Sequence, residues 1–186
     1  MAVRHSGRVK TPAEATNSPE IVQADMLDDT SVGSAIMGAE AVFNLVGILT
    51  ETSTQTYRAP HVEGARRVAF AAQNNGVMRV IHMSALGASR TSPAIPDRTK
   101  AEGEEAVRAA FPQATIVRPS LVFGEDDHFF SRLAAMIRSS PVLPLIGGGA
   151  TRFQPVFVGD MAAGLLELLR RTDTAGKTSE FGGPQV

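Results

Sequence analysis

Three apolar runs of strand length, each separated from the next by a stretch of helical spacing, constrain this chain more than any other feature. They are Ala39 to Gly47 (AEAVFNLVG), Val77 to Ser84 (VMRVIHMS) and Ala114 to Val122 (ATIVRPSLV). Each is too short for a buried helix and carries the β-branched residues that suit a pleated surface. The run from Ala39 is nearly continuous in apolar residues, as a strand buried on both faces should be. Between the runs, Pro60 to Asn74 places Val62, Ala65, Val68, Ala69 and Ala72 near a period of 3.6 residues, and Asn75-Gly76 supplies the stop. Arg98 to Ala110 reads as the next helix, and His128 to Ile137 as another.

The flanks extend the alternation. Met1 to His5 reads as the end of a short strand, followed by a polar connection from Ser6 to Pro19. Glu20 to Asp25 reads as a further short strand. Asp28 or Asp29 is placed to cap a helix through Val32, Ala35 and Ile36, with Gly38 at its stop. Beyond a loop-like stretch from Pro141 to Gly149, Phe153 to Val158 reads as a strand, and Asp160 as the cap of a helix through Leu165, Leu166 and Leu169. Strand and helix alternating with short connections is the pattern of a doubly wound parallel sheet, so the fold class is α/β.

Composition removes several kinds of chemistry. The chain has no cysteine, which excludes disulfides, thiolate catalysis, iron–sulfur clusters and Cys-ligated zinc. Its net charge is −1 with scattered Arg and Lys, which argues against nucleic acid as the main partner. No apolar run approaches the roughly 20 residues of a membrane span, and the N-terminus carries no signal-peptide pattern, so the expected location is cytoplasmic.

Five motifs occur in a fixed order. Asn44-Leu45-Val46-Gly47 and Ser84-Ala85-Leu86-Gly87 each close a strand, and Arg98-Thr99-Lys100-Ala101-Glu102-Gly103-Glu104 opens a helix. Arg118-Pro119-Ser120-Leu121-Val122-Phe123-Gly124 and Phe153-Gln154-Pro155-Val156-Phe157-Val158-Gly159-Asp160 follow. In that order they resemble the atypical extended short-chain dehydrogenases/reductases, the NAD-dependent epimerase/dehydratase-like proteins. Within these the set is most similar to the group around the nucleotide-binding accessory subunit of respiratory complex I.

The resemblance implies a Rossmann-like sheet with NADP or NAD as cofactor. It implies an incomplete dinucleotide-binding domain over 1–140 and a partial substrate-side lobe over 141–186. By the same resemblance, Asp25 and Met26 flank the adenine, Leu45, Val46 and Gly47 run beside the ribose and pyrophosphate, and Asn44, at the strand end before them, counts among the cofactor-binding residues. Pro119 and Leu121 line the nicotinamide pocket, and Lys100 bonds the nicotinamide ribose. Arg4 is placed to meet a 2′-phosphate, which would favour NADP. Ser84 and Lys100 form a catalytic set without its tyrosine. The implied partners are the dinucleotide and a protein of a respiratory assembly, which would put the chain on the mitochondrial matrix side. These assignments sit where a parallel sheet collects its ligands, at the C-terminal ends of strands.

Two departures stand against activity. The family's general acid is a tyrosine four residues before the lysine, and here that position is Pro96. Tyr57, the one tyrosine, lies on the other side of the sequence, and Asp97 is a poor proton donor at neutral pH unless desolvated. No Gly-x-x-Gly-x-x-Gly follows a first strand, and Gly147-Gly148-Gly149 lacks that spacing. In the order 3-2-1-4-5-6 the absent strand is the central one, so its absence removes two ladders from the middle of the sheet.

Other chemistries are weaker. His61-Val62-Glu63 resembles the start of a zinc deaminase signature, which the absence of cysteine defeats. Asp126, Asp127 and His128 read as a capping loop rather than a metal site, and His5 and His82 stand alone. Ser84 lacks a nucleophile elbow. Three readings remain: a non-catalytic nucleotide-binding subunit; a reductase, epimerase or dehydratase of a small carbonyl or sugar nucleotide; and a truncated remnant that binds nothing.

Overall fold

The computed structural model describes residues 2–3, 19–125, 127, 129–139 and 152–184. Its strands are β1 (Ala2–Val3), β2 (Val22–Gln23), β3 (Ala41–Asn44), β4 (Arg79–Met83), β5 (Thr115–Pro119), β6 (Val122–Phe123), β7 (Val156–Phe157) and β8 (Thr178–Phe181). The α-helices are α1 (Asp29–Ile36), α2 (Ala65–Asn74), α3 (Ile95–Ala110), α4 (Phe129–Ser139) and α5 (Val158–Arg170). A π-helical turn, Ala59–Gly64, leads directly into α2.

All the strand pairs are parallel. The main sheet runs β3-β4-β5-β8, while β1 pairs with β2 and β6 with β7. Alternation along the central strands divides the core between two layers. Val80 and Ile116 pack with Val32, Ile36, Ala65, Ala69, Ala72 and Val107, on the side of α1, α2 and α3. Their neighbours Ile81 and Val117 pack with Met161, Leu165 and Leu168 of α5 on the opposite face. The doubly wound parallel sheet expected from the sequence is therefore present, with helices on both faces.

The break lies between the β1–β2 pair and β3. The exit of β2 (Ala24 to Leu27), α1 and the length of β3 line an apolar cavity of about 650 Å³. No described strand hydrogen-bonds the outer edge of β3. Ala41, Val42 and Phe43 are accordingly half-buried. This corrects the expectation of a strand covered on both faces: one flank of β3 opens onto the cavity where the order 3-2-1-4 places the central strand.

Local signals account for most boundaries. Asp28 caps α1, its Oδ1 accepting from the Thr30 and Ser31 amides at 2.9 and 3.3 Å. Gly38 and Gly76 follow α1 and α2 at positive φ, 76° and 70°. α3 starts earlier than expected, at Ile95 rather than Arg98, with Pro96 in its first turn, where a missing N–H costs nothing. The run through Ala114 to Val122 divides into β5 and β6, because at Ser120 the backbone donates to Phe181 O (2.7 Å) and then turns to β7. Asp160 sits inside the first turn of α5 rather than capping it; Phe157 is the N-cap. Asp127 does cap, accepting from the Phe130 amide at 2.7 Å; Asp126 and His128 lie outside the described residues. Strand β8 had no counterpart in the sequence reading.

Candidate functional site at the C-terminal edge of the sheet

Because the main sheet is parallel, β3, β4, β5 and β8 all finish at one edge. The ladder continues past the strands: the Ser84 amide donates to Val117 O at 2.7 Å, and the Leu86 amide to Pro119 O at 2.8 Å. Ser84 and Pro119 thus leave the sheet side by side, both buried.

The centre of the edge is polar. Asn44 of β3 pairs in register with His82 of β4. Asn44 Nδ2 donates to His82 Nδ1 (3.1 Å), while Asn44 Oδ1 accepts from the Val46 amide (3.3 Å). With Nδ1 accepting, the proton of the neutral His82 ring lies on Nε2. That Nε2 is buried without a hydrogen-bond partner, and so is Ser84 Oγ two residues on. Burial, followed by the nearby Lys100 charge, lowers the His82 pKa to about 3.

Lys100, in the second turn of α3, reaches the same place. Its Nζ donates to Met83 O at 3.2 Å, and it stands against Gly47, where an added Cβ would lie 3.1 Å from Nζ. Burial pulls its pKa down to about 8, against the pull of Glu104 one turn on. The Glu104 carboxylate is itself engaged by Arg118 at 2.8 and 2.7 Å. The ammonium is therefore desolvated, and the oxygen it bonds is a peptide carbonyl.

His61, in the π-helical turn, touches both sides of this centre. The Ile48 amide donates to its Nε2 at 3.3 Å, and its Nδ1 lies 2.9 Å from Thr99 Oγ1. Tyr57 stacks at a tilt on the His61 ring, with centroids 5.6 Å apart, and its hydroxyl donates to Leu49 O at 3.0 Å. Its phenol is committed to the loop. Burial first, then the Lys100 charge, lowers the His61 pKa to about 4.

The far end of the edge is apolar. Asp25 and Met26, at the exit of β2, line the cavity together with Asn44, Leu45 and Val46. Asp25 Oδ1 accepts from the Leu27 amide at 3.0 Å, and Met26 lies against Gly64 of the π-helical turn. Leu45 and Val46 are exposed, at 53% and 44%.

The structure brings Asn44, Gly47, Ser84 and Lys100 together at one centre, with Pro119 beside Ser84. It puts Asp25, Met26, Leu45 and Val46 along the cavity and Leu121 just past β5, its carbonyl accepting from Val156 N at 2.9 Å. Arg4 lies outside the described residues. Sequence reasoning missed His61, Thr99, Tyr57 and His82, the last of which is paired rather than lone. The spacing of His82 two residues before Ser84, and of Tyr57 four before His61, were the signals available.

The two ends of this edge fit the two ends of a dinucleotide. Buried, unpartnered Ser84 Oγ and His82 Nε2 beside the Lys100 ammonium suit a hydroxyl-bearing group, and the apolar cavity suits a purine. Between the two ends, no glycine-rich turn stands among the described residues to cradle a pyrophosphate. Among the described residues no group of three His, Asp or Glu is placed to hold a metal, and no helix is long and apolar enough to cross a membrane.

Comparison with known proteins agrees with this geometry. Residues 1–130 match the family model described as NAD(P)H-binding. The chain is 40% identical over 164 residues to NADH dehydrogenase [ubiquinone] 1 alpha subcomplex subunit 9, mitochondrial, of Arabidopsis thaliana, covering 87% of this chain and 41% of that protein. It is 32% identical over 151 residues to a ceramide reductase of Caulobacter vibrioides, covering 81% and 47%. The chain spans less than half the length of the curated relatives it matches. A dTDP-glucose 4,6-dehydratase of Streptomyces venezuelae solved with NAD superposes with a TM-score of 0.78 at 20% identity, over 94% of this chain and 61% of the other. A UDP-glucuronic acid 4-epimerase of Bacillus cereus gives 0.74 at 19%, over 89% and 60%. These two share the Rossmann fold.

Proposed function

This chain belongs to the NAD(P)H-binding family, and from that premise we propose that it serves as a nucleotide-binding subunit with little or no hydride-transfer activity of its own. The observation that carries the reading is Lys100, a half-buried ammonium held at the strand edge beside unpartnered Ser84 Oγ and His82 Nε2, with Pro96 one helical turn before it. Lys100 and Ser84 bind the nicotinamide ribose, while Pro119 and Leu121 wall the ring. Asp25 and Met26 hold the adenosine end, and Asn44 to Gly47 run between the two. When bound, the dinucleotide supplies a hydride donor or acceptor.

Among the described residues at this edge, none is placed to supply the proton. Reduction of a carbonyl needs an acid beside the oxygen that gains charge, and a phenol one turn before the lysine would meet that need. Pro96 has no ionisable group. Tyr57 is turned to Leu49 O, and the Asp97 carboxylate accepts from Ser92 Oγ at 2.9 Å. Binding without turnover is the role this leaves, and ligand binding then stabilises the fold by mass action.

The relatives named as NADH dehydrogenase subunits support a place for the protein in a respiratory NADH dehydrogenase, on the matrix side where the cell has mitochondria. Arg4, following β1, favours NADP over NAD. Calorimetric titration with NADPH and NADH tests the reading: saturable one-to-one binding with no oxidation across a panel of aldehydes and ketones is expected. Robust oxidation would replace the subunit reading with that of a reductase. Absence of binding to both would leave neither.

A further inference from the structure

His61 is buried in a π-helical turn, a local irregularity that has to be held by its surroundings. Its hydrogen bonds run in one direction. A backbone amide can only donate, so Ile48 N–H fixes Nε2 as the acceptor and leaves the ring proton on Nδ1. Nδ1–H therefore donates to Thr99 Oγ1, and the Thr99 hydroxyl donates onward to Pro96 O at 2.9 Å. One neutral ring thus joins the loop leaving β3 to the first turns of α3, and Thr99 is the residue next to Lys100.

Three further contacts surround the same joint. Tyr57, one turn before His61, holds the neighbouring loop residue through Leu49 O. Gly103 brings α3 so close to the π-helical turn that a Cβ there would stand 2.0 Å from His61 O. Gly47 passes over the joint, and its added Cβ would lie 3.7 Å from His61 Nε2 and 3.1 Å from Lys100 Nζ. The loop, the π-helical turn and α3 are thereby locked to one another at the place where Lys100 emerges.

We infer that His61 is a positioning residue, clamping the loop that leaves β3 onto the helix bearing Lys100 and so fixing the end of the site that receives the nicotinamide ribose. For the ligand half, this rests on the dinucleotide reading above; the clamp itself does not. His61 acts through Ile48 and Thr99 and touches no ligand. The adenosine end lies at Asp25 and Met26, past β2, and Met26 meets the π-helical turn at Gly64 rather than at His61.

The test uses the full chain and three variants. His61→Phe keeps the ring and removes both bonds. Thr99→Val keeps the bond to Ile48 and detaches His61 from α3. His61→Gln returns an acceptor for the Ile48 amide. Two readouts are taken: amide hydrogen exchange at Ile48, and the affinities for NADPH and for AMP, a probe of the adenosine end alone. His61→Phe is expected to lose the exchange protection of Ile48 and to weaken NADPH about tenfold, the scale of one net hydrogen bond, with AMP unchanged. His61→Gln is expected to recover the Ile48 protection. Thr99→Val is expected to keep that protection while weakening NADPH selectively, and it carries the test if His61→Phe does not fold.

Ile48 protection unchanged in His61→Phe would overturn the clamp. Equal weakening of NADPH and AMP would also overturn it, since that is what a merely structural role predicts. Failure of the wild-type chain to bind either nucleotide would sink the dinucleotide reading, and the clamp would then stand or fall on the exchange at Ile48.

Discussion

Gly47 and Lys100 stand so close that a Cβ on the glycine would lie 3.1 Å from the lysine Nζ. The backbone of the loop leaving β3 is pressed against the ammonium because that position carries no side chain. Gly47→Val is therefore expected to displace Lys100 from the ribose end. Because the obstructing atom ends a flexible side chain, unfolding stability should fall by no more than about 1 kcal/mol. NADPH affinity should fall about tenfold or more. Urea denaturation and calorimetry on the same variant check both halves.

Pro96 occupies the position from which a phenol would face Lys100, four residues along the same helix face. In Pro96→Tyr the new phenol and Lys100 are expected to titrate as a coupled pair, each holding the other in its charged form, so that phenolate appears below the ordinary value of about 10 and the lysine keeps its proton above 8. The measurement is the ultraviolet phenolate spectrum against pH, with the wild-type chain subtracted to remove Tyr57. A phenol titrating at or above 10 would show that positions 96 and 100 do not share a site.

The two buried histidines set the acid limb of stability. Their folded pKa values, about 4 for His61 and about 3 for His82, lie below the ordinary histidine value of 6.5. Between those limits the unfolded chain binds more protons, so stability rises with pH. Their contribution is complete above 6.5 and is lost as pH falls through 4 and then 3. Lys100 acts at the other end: its folded pKa of about 8 lies below 10.5, so stability should rise again between pH 8 and 10.5 as the unfavourable buried charge is removed. Denaturation midpoints measured across both windows test the pair of slopes; Lys100→Met should abolish the upper one.

Arg118 grips the buried carboxylate of Glu104 in a two-pronged contact at 2.8 and 2.7 Å. Arg118→Met leaves that carboxylate buried without its cation, and a loss of about 3 kcal/mol in unfolding free energy is expected. Glu104→Gln is expected to be milder and to lower the Lys100 pKa further, since Glu104 is the group that raises it. Denaturation together with NMR titration of the lysine separates the two effects.

Much of this was legible in the chain. The apolar runs gave β3, β4 and β5 because buried parallel strands carry their signal along their own length, and the stops at Gly38 and Gly76 marked turns that need positive φ. Strand β8 was not legible: Thr178 to Phe181 alternates exposed and half-buried residues and owes its place to pairing with β5. The motifs marked Asn44 and Ser84 as strand ends, and these lie at one edge of the sheet because strand ends converge when the strands are parallel. The pairing of Asn44 with His82 depends on register between strands 38 residues apart, and that of His61 with Thr99 on the approach of α3 permitted by Gly103. Neither relation is written in local sequence.

The most direct test of the central claim is calorimetric titration of NADPH and AMP into the wild-type chain and into Lys100→Met. The account predicts saturable one-to-one binding of NADPH by the wild type, weakened about tenfold or more in the variant, with AMP affinity the same in both. No saturable binding by the wild type, or equal NADPH affinity in the two proteins, would contradict it.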